Sequence, residues 1–91
     1  MRVNDDIGKE TLLLETNTRK YYKTDLRSGM SVIDIYTKDP FEIEAGNTIL
    51  RTITCETEED LAFYVDKLEQ GIDPYEGYTN EQIKKNEIKR R

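Results

Sequence analysis

The sequence predicts an α+β fold: a small antiparallel sheet of three to five strands, one main amphipathic helix packed on a face of it, and a short C-terminal helix. Three observations carry that prediction. β-Branched and aromatic runs recur up to Cys55, a capped segment with helical apolar spacing follows from Thr57, and a second helix start stands at Thr79. With 91 residues the chain is expected to form one domain, 1–91, because so short a sequence holds no apolar surplus for a second core.

Taken in order, Thr11 to Thr16 carries Leu12, Leu13 and Leu14, and Arg19 to Lys23 carries Tyr21 and Tyr22, so the two runs read as a hairpin around Asn17 and Thr18. Asp25 to Gly29 reads as a turn, and Met30 to Thr37 as a strand rich in β-branched residues. Phe41 to Glu44 alternates apolar and acidic residues. Ala45-Gly46-Asn47 supplies turn chemistry, and Thr48 to Cys55 is again β-branched, which predicts a second hairpin. A three-residue loop sets Ile43 opposite Ile49, with Ile49, Ile53 and Cys55 on the face of Phe41 and Ile43; a two-residue turn sets Ile43 opposite Leu50.

Thr57-Glu58-Glu59-Asp60 matches a capping box, and Leu61, Tyr64, Val65 and Leu68 then recur at helical spacing up to Gly71. This is the main helix, its stripe widened by Ala62 or Phe63. Asp73-Pro74 and Gly77 mark a connector. From Thr79, with Gln82 three residues on and Tyr78 placed to staple onto Ile83, a mostly solvated helix or tail is expected over 79–91.

Charge is distributed unevenly. Residues 1–40 carry seven basic and seven acidic groups, 41–80 two basic and ten acidic, and 81–91 five basic and two acidic. Carboxylates at a helix N-terminus and cations near a C-terminus are what the helix dipole favours in any soluble protein. The functional alternative is a single negative surface made by Glu42, Glu44, Glu56, Glu58, Glu59, Asp60 and Asp66, meeting a protein partner with a basic surface such as a nucleic-acid groove. Tyr75 and Tyr78, around a Pro/Gly loop, read either as contact anchors for that partner or as pins holding the loop to the main helix.

Catalysis is not expected. The chain has no His, its serines are Ser28 and Ser31, and Cys55 ends a core strand, so no nucleophile with a positioned base can be written. Without His and with one Cys, the usual zinc, copper and haem ligand sets cannot be assembled, and no cofactor motif is present. A lone thiol suits a reducing compartment, Met1 to Lys9 holds no apolar run of a signal peptide, and no stretch approaches the ~20 apolar residues of a membrane span. The expected location is cytoplasmic, with no membrane partner.

The bias toward Lys, Glu, Asn, Ile, Thr and Tyr resembles that of small proteins of bacteriophages and other mobile elements of AT-rich bacteria. That resemblance implies a non-catalytic protein-binding module that inhibits or modulates a host factor in the host cytoplasm. Two other classes remain. One is a nucleic-acid-binding regulator using Lys84, Lys85, Lys89, Arg90 and Arg91 of the basic C-terminal segment. The other is a structural or assembly subunit, for which a strand edge offers a route to a homodimer.

Overall fold

The structure, a computed structural model, describes residues 7–85. Strands β1 (Ile7–Glu15), β2 (Arg19–Leu26), β3 (Ser31–Thr37) and β4 (Ile49–Cys55) form one antiparallel sheet in the order β1-β2-β3-β4, so each strand pairs with its neighbour in sequence. Between β3 and β4 lies the short helix α1 (Pro40–Glu44), and after β4 come α2 (Glu58–Glu69) and α3 (Asn80–Lys84). The α+β class, the antiparallel sheet, the main helix and the short C-terminal helix agree with the sequence-based expectation.

The first hairpin forms where Leu12 to Leu14 and Tyr21 to Tyr22 placed it, with Leu12 opposite Tyr22 and Glu15 opposite Lys20. The second does not form. Phe41 to Glu44 is helical, and β4 pairs with β3, Ile33 opposite Ile53 and Ser31 opposite Cys55. The cause lies just upstream: the Asp39 side chain accepts from the Phe41 N–H at 3.0 Å, and Pro40 takes the first helical position, where its missing N–H costs nothing. An Asp-Pro start outweighs four residues of alternation. Register then shifts between Ile35 and Tyr36, leaving Leu50 as the extra residue of a bulge. Leu50 is buried in consequence and Ile49 is exposed, the reverse of the expected face for Ile49.

One face of the sheet carries Tyr21, Ile33 and Ile35, which pack with Leu50 and Cys55 against Tyr64 and Leu68 of α2, Tyr75 of the connector and Ile83 of α3. Leu61 packs on this cluster as well, and Val65 is half-buried, so the helical stripe read from the sequence is the one that faces the sheet. Ala62 and Phe63, expected to widen it, are exposed. Thr57 caps α2 by accepting from the Asp60 N–H at 3.1 Å. Gly71 stops it at φ +82, a left-handed conformation that side chains with a Cβ resist. In α3 the capping box is complete: Gln82 N–H donates to Thr79 Oγ1 at 3.1 Å, and Thr79 N–H to Gln82 Oε1 at 2.9 Å. On the opposite face of the sheet, Asp34 lies between Tyr22 and Thr52 and is fully buried; its carboxylate accepts from Thr24 Oγ1 at 2.9 Å and Thr52 Oγ1 at 2.6 Å. At the edge of the sheet, Gly8 sits so close to β2 that a Cβ there would meet the Asp25 carbonyl oxygen at 2.9 Å.

Candidate functional site

Placing the stripe Leu61, Tyr64, Val65 and Leu68 against the sheet turns the rest of α2 to solvent. At 100° per residue, Glu59, Phe63 and Asp66 point directly away from the core, with Glu58 and Glu69 on one flank and Asp60 on the other. Glu56, Glu58, Glu59, Asp60, Asp66 and Glu69 are all exposed, and none has an ion-pair partner among the described residues. Phe63 stands among them 54% exposed, its ring edge-on to Tyr64 and beneath the Lys67 ammonium, 5.5 Å from the centroid. Sequence reasoning missed Phe63 as a surface group because it adjoins Tyr64 of the apolar stripe along the chain, though it lies opposite that stripe around the helix; its spacing of four from Glu59 and three from Asp66 was the available signal.

The seven carboxylates proposed from the sequence are not brought together. Glu42 and Glu44 belong to α1, at the Ile49 end of β4, whereas Glu56, Glu58, Glu59 and Asp60 follow its Cys55 end, a separation of roughly 20 Å along the strand. Glu42 is also occupied: the Lys84 ammonium donates to its Oε1 at 3.0 Å and Asn47 Nδ2 donates to the same oxygen at 3.1 Å. Lys84 further contacts Glu81 at 2.9 Å and Lys85 lies 3.7 Å from the same residue, so these two cations of the proposed nucleic-acid segment are paired. These contacts hold the Lys84 pKa above its ordinary value, Glu81 first and Glu42 next. Lys89, Arg90 and Arg91 lie outside the described residues.

Of the two loop tyrosines, Tyr75 is buried and belongs to the core, and Tyr78 packs against it with ring centroids 6.3 Å apart. A buried polar network completes the attachment. Arg19 on β2 donates from Nη1 to the Tyr75 carbonyl at 3.1 Å and from Nη2 to the Tyr78 carbonyl at 2.9 Å. The Tyr21 hydroxyl donates to Asp73 Oδ1, which also accepts from the Tyr75 N–H at 2.8 Å. Arg19 Nε is buried with no partner, the one such atom among the described side chains. Two open clefts of 430 and 550 Å³ flank the β1–β2 turn on either side of Arg19. The guanidinium, which lines both clefts, donates to two carbonyls of the connector.

Two buried titratable side chains are both held in their protonated forms. Burial, and then the hydrogen bond to Asp73, pushes the Tyr21 hydroxyl well above its ordinary range. Burial, and then the negative charge of Asp60, pushes the Cys55 thiol up, the opposite of what a thiolate nucleophile requires. Among the described residues no helix is long and apolar enough to cross a membrane. No family model, no curated protein and no solved structure matches the chain.

Proposed function

We propose that the protein is a non-catalytic binding module that meets a protein partner with a basic surface through the outward face of α2. The reading rests on one observation: Glu56, Glu58, Glu59, Asp60 and Asp66 are exposed and have no ion-pair partner among the described residues, with Lys67 the one cation on α2. A surface field dominated by one sign raises the rate of encounter with the opposite sign. Phe63 at its centre supplies apolar area of the kind that contact hot spots use. Glu44, distant on α1, is not part of this face, and Tyr75 is withheld from it by burial. A host factor whose basic groove handles nucleic acid is a partner of the right chemistry, since carboxylates at close spacing can occupy sites meant for phosphates.

Capture from a bacterial lysate by the wild type and by a Glu58→Lys, Glu59→Lys, Asp60→Lys, Asp66→Lys variant tests this. The wild type is expected to retain a basic protein, more weakly at high salt, and the variant to lose it while keeping its circular dichroism spectrum. Retention of the same protein by both would refute the reading. The nucleic-acid alternative is separated by glutamine at Lys85, Lys89, Arg90 and Arg91, which spares Ile83; loss of DNA or RNA binding there would favour the basic segment.

A further inference from the structure

Arg19 is 7% exposed at the start of β2, and a buried guanidinium N–H without an acceptor carries a free-energy cost that native folds rarely leave standing. Nη1 donates to the Tyr21 hydroxyl at 3.3 Å and to the Tyr75 carbonyl at 3.1 Å, which uses both of its N–H groups. Nη2 donates once, to the Tyr78 carbonyl at 2.9 Å, and keeps a second N–H; Nε has no partner. Paired N–H groups on a guanidinium edge are what arginine uses to grip a carboxylate or a phosphate.

The two clefts that Arg19 lines differ in what they add to that edge. In the 550 Å³ cleft it is joined by Glu76 and by Asp73, whose Oδ2 lies 4.0 Å from Nη1, so an anion entering there meets two carboxylates. The 430 Å³ cleft holds one, Asp39, and adds Lys38, which follows Thr37, the residue opposite Arg19 on β3. The Lys38 ammonium donates to the Glu15 carboxylate at 2.6 Å and to the Thr16 carbonyl at 2.9 Å, which leaves its third N–H unspent. Unspent N–H groups on two cations call for a group that only accepts. Asn17, Thr18 and Thr79 line the same cleft with amide and hydroxyl groups, and Tyr78 lines it too. Its volume is that of a pocket for a small ligand. We propose that this cleft binds a small polar molecule through an oxyanion, a carboxylate or a phosphate, held by the free N–H groups of Arg19 and Lys38, with the rest of the molecule against Asn17, Thr18 and Thr79. The site uses no residue of α2 and does not depend on the function proposed for that face.

Inorganic phosphate and acetate, each titrated into isotope-labelled protein with sodium chloride holding the ionic strength constant, test the proposal. Saturable shifts at low millimolar anion are expected in the Arg19 Nε–H and in the amides of Thr18, Lys38 and Tyr78. Whichever probe binds more tightly identifies the oxyanion as phosphate or carboxylate. That probe should also raise the melting temperature, as does any ligand held only by the folded chain. Affinity should fall at least tenfold in Arg19→Met and severalfold in Lys38→Gln, the second variant keeping the test decisive if the first folds poorly, and should be unchanged in Glu76→Gln. An Arg19 Nε–H that neither probe moves, a response that chloride alone reproduces, shifts centred on Gly71 and Glu76, or full affinity in Lys38→Gln would each overturn the proposal.

Discussion

Cys55 ends β4 with its thiol in the core and Asp60 close enough to oppose its ionisation. A thiol that is both covered and held protonated reacts only when the structure opens. Alkylation at pH 8 should therefore run far slower than for a free thiol and accelerate in denaturant; rapid native labelling would place the sulfur at the surface. Cys55→Val should cost less than about 1.5 kcal/mol, as a swap of similar volume without a new polar group. Tyr21 makes a stronger demand. Removing its hydroxyl leaves one oxygen of Asp73 a donor short and removes a contact of Arg19, so Tyr21→Phe should cost about 1–3 kcal/mol by chemical denaturation at neutral pH. Folding raises the pKa of this phenol, so the stability linked to its proton is full below about pH 10, the unfolded value, and declines as pH climbs past it. The difference between wild type and Tyr21→Phe should accordingly shrink above pH 10.

Two of the three helices and all four strand runs announce themselves locally; how the strands pair does not. Thr57 and Thr79 each carry their capping partners within three residues, so α2 and α3 could be placed from the sequence alone. α1 was obscured because Phe41 and Ile43 alternate with Glu42 and Glu44 over a length too short to distinguish period 2 from a single turn of helix. The bulge at Leu50 and the burial of Asp34 depend on which residues of neighbouring strands lie opposite, information no single strand contains. The density of acid on α2 was legible, and the strand read over Thr48 to Cys55 already sets Glu42 and Glu44 at its other end; segment charge sums carry no such distance. The packing of α2 gives a direct expectation: Leu68→Ala should lose about 2–5 kcal/mol, because Leu68 is 1% exposed and its removal leaves a cavity against the sheet. Thr79→Ala should lose about 1 kcal/mol through its cap. A Leu68→Ala loss below that of Thr79→Ala in the same urea titration would mean that α2 is not the lid of the core.

Across the molecule, a net charge of −5 with unneutralised carboxylates along α2 makes self-repulsion a factor in stability. Raising sodium chloride from about 10 to 150 mM shortens the screening length from roughly 30 to 8 Å, so the melting temperature should rise. A fall would show that the surface ion pairs of Lys23, Lys38 and Lys84 outweigh the repulsion.

The clamp of Arg19 on the connector also sets an order of events in folding. Every strand pairs with its sequence neighbour, an arrangement of short loops that closes quickly. Arg19, by contrast, reaches carbonyls 56 and 59 positions away, contacts that bring no reward until the meander and α2 are in place. A latch closed last holds the product without helping to make it. Stopped-flow kinetics of Arg19→Met should thus show faster unfolding with a nearly unchanged refolding rate, giving this small domain a lifetime governed by one buried guanidinium.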